Sequence, residues 1–297
     1  MRLRQIEVFH AVYTSGSMTN AAALLHVSQP SVSKVLAHAE QQLGYLLFDR
    51  NKGKLVPTPE AHRLFAHVVA VYRDVDRLRH VAENLRAGNS GHIRVASTPA
   101  LGLDLLPLAV ATFREKHTDT VFEIETLHLD EINEALLESR IDIGLAFEPT
   151  STVGIDEETL ASSRFVALAP SNIDFGSRQA LTASDLCGHP FIGLNSRGPL
   201  GRILSSYLAP VEQDLNIVTW SETYHVAKAL VARGAGVTIT DEVTAKSAGG
   251  ENLRVLPLQP ELRFSIKALH LTAVPLSIAA QNFVRHLSGS LDEFLAP

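Results

Sequence analysis

The chain has one cysteine, Cys187, among 297 residues, which excludes an intrachain disulfide and a zinc site built on cysteines. It has no apolar stretch near the ~18–20 residues of a membrane span; the run 268–280 is broken by His270 and Pro275. The amino terminus lacks a signal segment, because Glu7 and His10 interrupt any apolar run there. These absences predict a soluble protein of a reducing, cytoplasmic compartment. Catalytic signatures are missing as well. No nucleophile stands beside a base, and the turn Gly234-Ala235-Gly236 is too short for a cofactor fingerprint. His10, His26 and His38 are separated by helix geometry and have no carboxylate partners. The expectation is no metal, no cofactor and no enzyme.

A surplus of positive charge is absent from the chain as a whole, whose net charge of −6 argues against a nucleic-acid partner. The charge is unevenly divided, however. Residues 1–90 carry 11 Lys and Arg against 7 Asp and Glu, a balance of +4, which leaves −10 on the remainder. A basic front and an acidic back are expected when only one part meets phosphate. With 45% apolar residues the chain can bury more than one core.

Within the basic front, residues 2–14 read as a helix. Ser17 then caps a short helix that turns Ala21, Ala22, Leu24 and Leu25 toward a core. His26 and Val27 make a tight connection. Ser28 is the expected cap of the next helix, 28–43, and Pro30 is tolerated in its first turn. Val32, Val35, Leu36, Ala39 and Leu43 form one apolar stripe. The opposite face offers Gln29, Ser31, Ser33, Lys34 and His38. A small polar and cationic face on a helix after a tight turn suits the major groove of double-stranded DNA. The candidate DNA contacts are Ser28, Gln29, Pro30, Ser31, Ser33 and Lys34. Arg50, Lys52 and Lys54 flank a Gly53-centred hairpin, or wing, and are candidates for phosphate or minor-groove contact. Thr58 caps a long helix with Pro59 in its first turn. Its stripe, from Ala61 to Leu85 and including Val68 and Val75, is longer than the small head can cover, so the helix is expected to pair subunits. Asn89-Ser90-Gly91 reads as a hinge.

The remainder holds an internal duplication. Strand 93–96, turn 97–102, a helix near 103–116 and strand 121–125 match strand 191–194, turn 195–201, a helix near 202–209 and strand 216–220. Each copy continues with a helix and an apolar strand, 130–139 into 141–147 and 224–233 into 236–240. Two β-α-β-α-β units predict two lobes with mostly parallel sheets, and strands 164–169 and 264–271 are expected to cross between them as a hinge. Ligands collect outside the carboxyl ends of such strands, which places a small-molecule cleft between the lobes.

Phe9, Ser17, Ala21, Ala22, Leu25, the run Val27 to Ser33, Leu43-Gly44 and Leu47-Phe48-Asp49-Arg50 together resemble the LysR-type transcriptional regulators along essentially the whole chain. The resemblance implies an α/β architecture. An N-terminal winged helix-turn-helix (1–58) and a linker and dimerisation helix (59–90) precede a two-lobed effector domain of the periplasmic-binding-protein type (91–297). Lobe one would comprise 91–162 and 270–297, and lobe two 163–269. It also implies a dimer or dimer of dimers acting on promoter DNA under a small-molecule co-inducer. Lys34 stands where the family more often has arginine, exchanging a fork for a point charge. Thr58-Pro59-Glu60-Ala61 departs from the commoner threonine-x-alanine-glycine pattern. The loop Gly193 to Arg202 is most similar to regulators of opine catabolism, and the opening segment is similar to the lysine-biosynthesis regulator. Both imply an amino-acid-like effector.

Candidate effector contacts follow from the strand ends. Ser97, Thr98 and Pro99 open a helix in lobe one and make an anion cradle. Asn195, Ser196 and Arg197 occupy the equivalent place in lobe two, where Arg197 suits a carboxylate. Glu148 is expected to meet an ammonium group, and His128 and Thr240 complete the rim. Two rival readings are a solute-binding protein, opposed by the missing leader and the attached head, and an enzyme on the same scaffold, opposed by the missing catalytic groups.

Overall fold

The computed structural model describes residues 1–51, 54–87, 91–195, 198–248 and 252–296. Side chains are described for these apart from residues 50–51, 54, 73, 76–77, 79–81, 83–85 and 87. The chain divides into two compact units, Met1–Arg79 and His80–Pro297, so the long helix contributes to both.

The first unit runs α1 (Leu3–Ser15), α2 (Met18–Leu24), α3 (Gln29–Leu43), β1 (Phe48–Asn51), β2 (Lys54–Pro57) and the start of α4 (Pro59–Ala87). Gly16 ends α1 in the left-handed region at φ 64°, a cap that costs glycine little. The Ser17 hydroxyl accepts the amides of Thr19 and Asn20 at the start of α2. Ser28 takes the N-cap position of α3, but its hydroxyl makes no capping bond, contrary to expectation. The stripe of α3 packs as expected, with Val32 and Leu36 buried beside Val8, Phe9, Val12, Ala21, Phe48 and Ala61, and Ala39 also buried. The wing pairs Phe48↔Pro57 through Asn51↔Lys54. It is tied to α3 by Glu40, whose Oε1 accepts the Leu47 and Phe48 amides at 2.8 and 3.2 Å.

Helix α4 is 29 residues long, about 44 Å. Its front half does not wait for another subunit. Ala61, Leu64, Phe65, Val68 and Tyr72 pack on the head's own core, and Val68 is 3% exposed. Aromatic stacking fastens this half to α1: Tyr13 lies on Phe65 at 3.7 Å, and His10 on Tyr72 at 4.0 Å. The expectation of one continuous pairing stripe is therefore corrected. The head covers Ala61, Leu64, Phe65, Val68 and Tyr72, and among the described side chains of the helix Val71 and Leu78 are left open, the latter 70% exposed.

The second unit contains β3 (His92–Ser97), α5 (Pro99–Gly102), α6 (Leu105–Lys116), β4 (Val121–Thr126), α7 (Leu129–Leu137), β5 (Ile143–Phe147) and the long β6 (Ile155–Pro170). It continues with β7 (Pro190–Leu194), α8 (Gly198–Leu208), β8 (Asn216–Ser221), α9 (Tyr224–Ala232), β9 (Thr238–Asp241), α10 (Glu242–Lys246), β10 (Leu253–Pro257), β11 (Arg263–Leu271) and α11 (Ile278–Leu295). β3 lies parallel to β4 and β5, and β11 closes that sheet between β5 and the first half of β6. In the second lobe β7 lies parallel to β8 and bridges in parallel to Val237 just before β9; β9 and β10 flank the second half of β6. The duplication is thus real in space, and β6 is the strand common to both lobes.

Two boundaries differ from expectation. β6 begins at Ile155 rather than near 164, because β11 pairs with it from Arg263↔Arg164 to Leu271↔Ile155. β11 also pairs with β5 from Ile266 to Leu269, so residues 263–269 stand in the sheet of lobe one, not lobe two. The second crossing is the segment 258–262 between β10 and β11.

Each sheet is covered by helices on both faces, as near-continuous apolar parallel strands require. Phe113 of α6 and Phe283 and Leu287 of α11 bury one face of lobe one, and Ile132 and Leu136 of α7 the other. In lobe two α9 lays Ala227 and Val231 on Val166, Leu168 and Ile192. At Gly193 a side chain has no room: an added Cβ would lie 2.7 Å from the ring of Trp220, itself 60% exposed on β8. Among the described residues no helix is long and apolar enough to cross a membrane.

Candidate functional site

In the first unit, α3 buries its apolar stripe and so turns the other side outward. Gln29, Pro30, Ser31 and Lys34 are exposed and Ser33 is half-buried. Gln29 Nε2 donates to Ser33 Oγ at 3.0 Å, one turn along the same face. The His38 ring meets Gln5 Nε2 at 3.3 Å and is thereby held to α1. Arg50 and Lys54 stand on the two wing strands, with side chains outside the described set, and Lys52 lies outside the described residues.

In the second unit the strand-end turns converge on a cavity of about 400 Å³. Lobe one contributes Thr98, Pro99 and Ala100 after β3, and His128 to Glu131 after β4. Lobe two contributes Asn195 and the start of α8 after β7, and Glu222, Thr223 and Tyr224 after β8. All four equivalent turns of the duplication therefore meet in one place. Thr98 sits at the N-cap position of α5, yet its hydroxyl makes no capping bond and is buried without a partner among the described residues. Simple capping does not account for it. The His128 amide donates to Glu131 Oε2 at 2.8 Å, closing the first turn of α7.

Of the residues expected here, Thr98, Pro99, His128 and Asn195 line the cavity. Three expectations are corrected: Ser97, Glu148 and Thr240 are not in its wall. Ser97 is fully buried at the end of β3, its Oγ 2.8 Å from where a Gly102 Cβ would stand, because alternation along the strand turns it inward. Glu148 is already engaged, its Oε2 accepting the amide and hydroxyl of Ser265 at 2.6 and 3.0 Å. Thr240 is fully buried in β9 opposite Val166. Ser196 and Arg197 lie outside the described residues. Asp130, Thr150, Arg202, Glu222 and Tyr224 line the cavity and are not singled out by the sequence. A signal for Glu222 to Tyr224 is available there, since that turn is the second copy of the one carrying His128.

Two family descriptions match the chain: "Bacterial regulatory helix-turn-helix protein, lysR family" over residues 3–62, and "LysR substrate binding domain" over residues 86–292. The chain belongs to the LysR family of transcriptional regulators. It is 41% identical to the HTH-type transcriptional regulator DgcR of a Pseudoalteromonas species, over 98% of this chain and all of that one. It is 29% identical to the transcriptional activator LysR of Escherichia coli, over 99% of this chain and 95% of that protein. Its fold matches full-length CbnR solved with target DNA, at a TM-score of 0.66 and 22% identity, over 98% of this chain and all of that one. The matched families and relatives are DNA-binding regulators, not enzymes. Among the described residues of this LysR-family regulator no group of His, Cys, Asp and Glu is placed to hold a metal.

Behind the cavity wall of this regulator lies a buried polar cluster. Tyr224 opens α9, and burial, then the charge of Asp241, push its hydroxyl well above the ordinary tyrosine range. One turn later Lys228, 4% exposed, donates to the carbonyls of Thr244, Ala245, Ser247 and Ala248 and to Ser247 Oγ at 2.5–3.4 Å. Burial lowers its pKa, opposed by Asp104 and Asp241. The Ala248 amide in turn donates to Asp104 Oδ2 at 2.6 Å, which links the end of α10 in lobe two to the start of α6 in lobe one. Asp241 is fully buried and its pKa is raised by desolvation, although Oδ1 accepts the Thr244 amide at 2.7 Å.

Proposed function

We propose that this LysR-family regulator reads promoter DNA with α3, through Ser28, Gln29, Pro30, Ser31, Ser33 and Lys34. Arg50, Lys52 and Lys54 of the wing hold phosphate. The cavity between the lobes takes an amino-acid-like or opine-like co-inducer, and the chain works in the cytoplasm as a dimer or dimer of dimers. The observation that carries the effector reading is the convergence of four strand-end turns, two from each lobe, on one cavity. A ligand touching both lobes binds the closed arrangement better than the open one, and that difference in affinity is what a switch needs. Its carboxylate is received by Arg197 and Asn195 from lobe two and by the unpartnered Thr98 hydroxyl from lobe one. The likeness of loop 193–202 to opine-catabolism regulators supports the same ligand class.

The test uses the full chain. Sequences enriched from a random DNA pool give the operator, and its affinity is then followed by anisotropy with and without amino acids and opines. Arg197→Ala should abolish the ligand response and leave operator affinity intact. Failure to enrich any sequence at physiological salt overturns the DNA reading. A ligand response that survives Arg197→Ala overturns the carboxylate assignment.

A further inference from the structure

The geometry points to Asp130 and Arg202 as the charge poles that make the cavity selective for a zwitterion, a molecule with both a carboxylate and a protonated amine. This rests on the cavity being the effector site. Asp130 stands on lobe one, second residue of α7, and Arg202 on lobe two, in the second turn of α8; both line the same cavity. Both are exposed, and neither side chain has a hydrogen bond or ion pair among the described residues. Their neighbours differ in this respect. Glu131 spends an oxygen on the His128 amide, and Glu148 is held by Ser265 outside the cavity. An acidic residue in the first turn of a helix is favoured by the helix dipole, which accounts for an acid in α7 but not for its sharing a cavity with a guanidinium of the other lobe.

Opposite charges on the walls of two lobes, neither neutralised locally, fit a ligand carrying both charges. A neutral sugar leaves both poles with water, and a dianion sets its second carboxylate against Asp130, where like charges repel. The guanidinium fork takes a carboxylate in two parallel bonds, and Asp130 accepts from an ammonium. Because one pole belongs to each lobe, the zwitterion bridges them. Asp130 thus takes the part that the sequence suggests for Glu148.

The full chain is titrated by calorimetry, after a thermal-shift screen, with the L- and D-forms of the protein amino acids and with octopine-type N-carboxyalkyl derivatives. Each zwitterion that binds is compared with its des-amino acid and its carboxamide, on wild type, Asp130→Asn and Arg202→Gln. A charge-assisted contact of this kind is worth about tenfold to a hundredfold in Kd. Wild type should therefore prefer the zwitterion over either analogue by about that factor. Asp130→Asn should lose the preference over the des-amino acid alone, and Arg202→Gln should reduce the preference over the carboxamide alone. Both positions are exposed, and Asp130→Ser and Arg202→Ser serve if either variant fails to fold. A zwitterion that binds with both preferences unchanged in the variants overturns the pole assignment and leaves the effector reading standing. Failure of every zwitterion to stabilise the wild type overturns both.

Discussion

Lys228→Met removes the ammonium that gathers the end of α10 while keeping most of the side chain's volume. Thr244 O keeps the Ser247 hydroxyl, at 2.7 Å, but the carbonyls of Ala245 and Ser247 lose their donor in a buried place. A buried carbonyl left unpaired costs about 1–3 kcal/mol, so two lose about 2–6. Relief from burying a charge offsets part of this, since desolvation is the main reason the Lys228 pKa is lowered. The net loss expected is about 2–4 kcal/mol, which lowers the melting temperature of a domain of this size by roughly 5–15 °C. Scanning calorimetry of the full chain at neutral pH measures it. The pH dependence has a definite sign. With the folded pKa below the ordinary lysine value, the unfolded chain binds the extra proton between the two, so the wild-type advantage grows as pH rises through that window. A melting temperature within a degree of wild type, or an advantage that shrinks across that window, would refute the reasoning.

Three further outcomes are expected. Asp241→Asn keeps the acceptor for the Thr244 amide and removes a buried charge, so stability near neutral pH should hold or rise; because the folded Asp241 pKa is raised, wild type alone should lose stability as pH climbs through it, checked by urea melts at several pH values. Lys34→Ala should weaken operator binding by about 1–3 kcal/mol and lower the salt slope by about 1 if it meets phosphate, read by anisotropy against salt. Leu78→Glu should weaken self-association in sedimentation while the head stays folded, whereas Val68→Glu should unfold the head by burying an unpaired charge.

The head was legible because its helices are amphipathic and capped by local chemistry: the stripe from Val32 to Leu43 and the Ser17 and Thr58 caps are written within a few residues of where they act. The two lobes were legible because the pattern occurs twice. What escaped reading depends on partners far along the chain. Glu148 looks like a rim carboxylate until Ser265, 117 residues away, takes it. Lys228 carries no local signal on α9, and only the return of the chain at 244–248 buries it. Val68 continues a stripe that the sequence extends to Leu85, and nothing local says where the head's cover stops. Strand-end logic located the cavity but went one residue too early at Ser97 and stopped short of Asp130 and Arg202.

The bare Cα at Gly193 allows the ring of Trp220 to lie against its backbone, and Trp220 is the only tryptophan in the chain. Gly193 is two residues before Asn195 and Trp220 is two before Glu222, both in the cavity wall of lobe two. The indole is half open to solvent and half shielded by the strand that ends at the ligand. Its emission is therefore a native optical signal for lobe two, with no second indole to dilute it. Stopped-flow fluorescence on the unlabelled, unmutated chain can time ligand arrival at this lobe separately from events at the DNA.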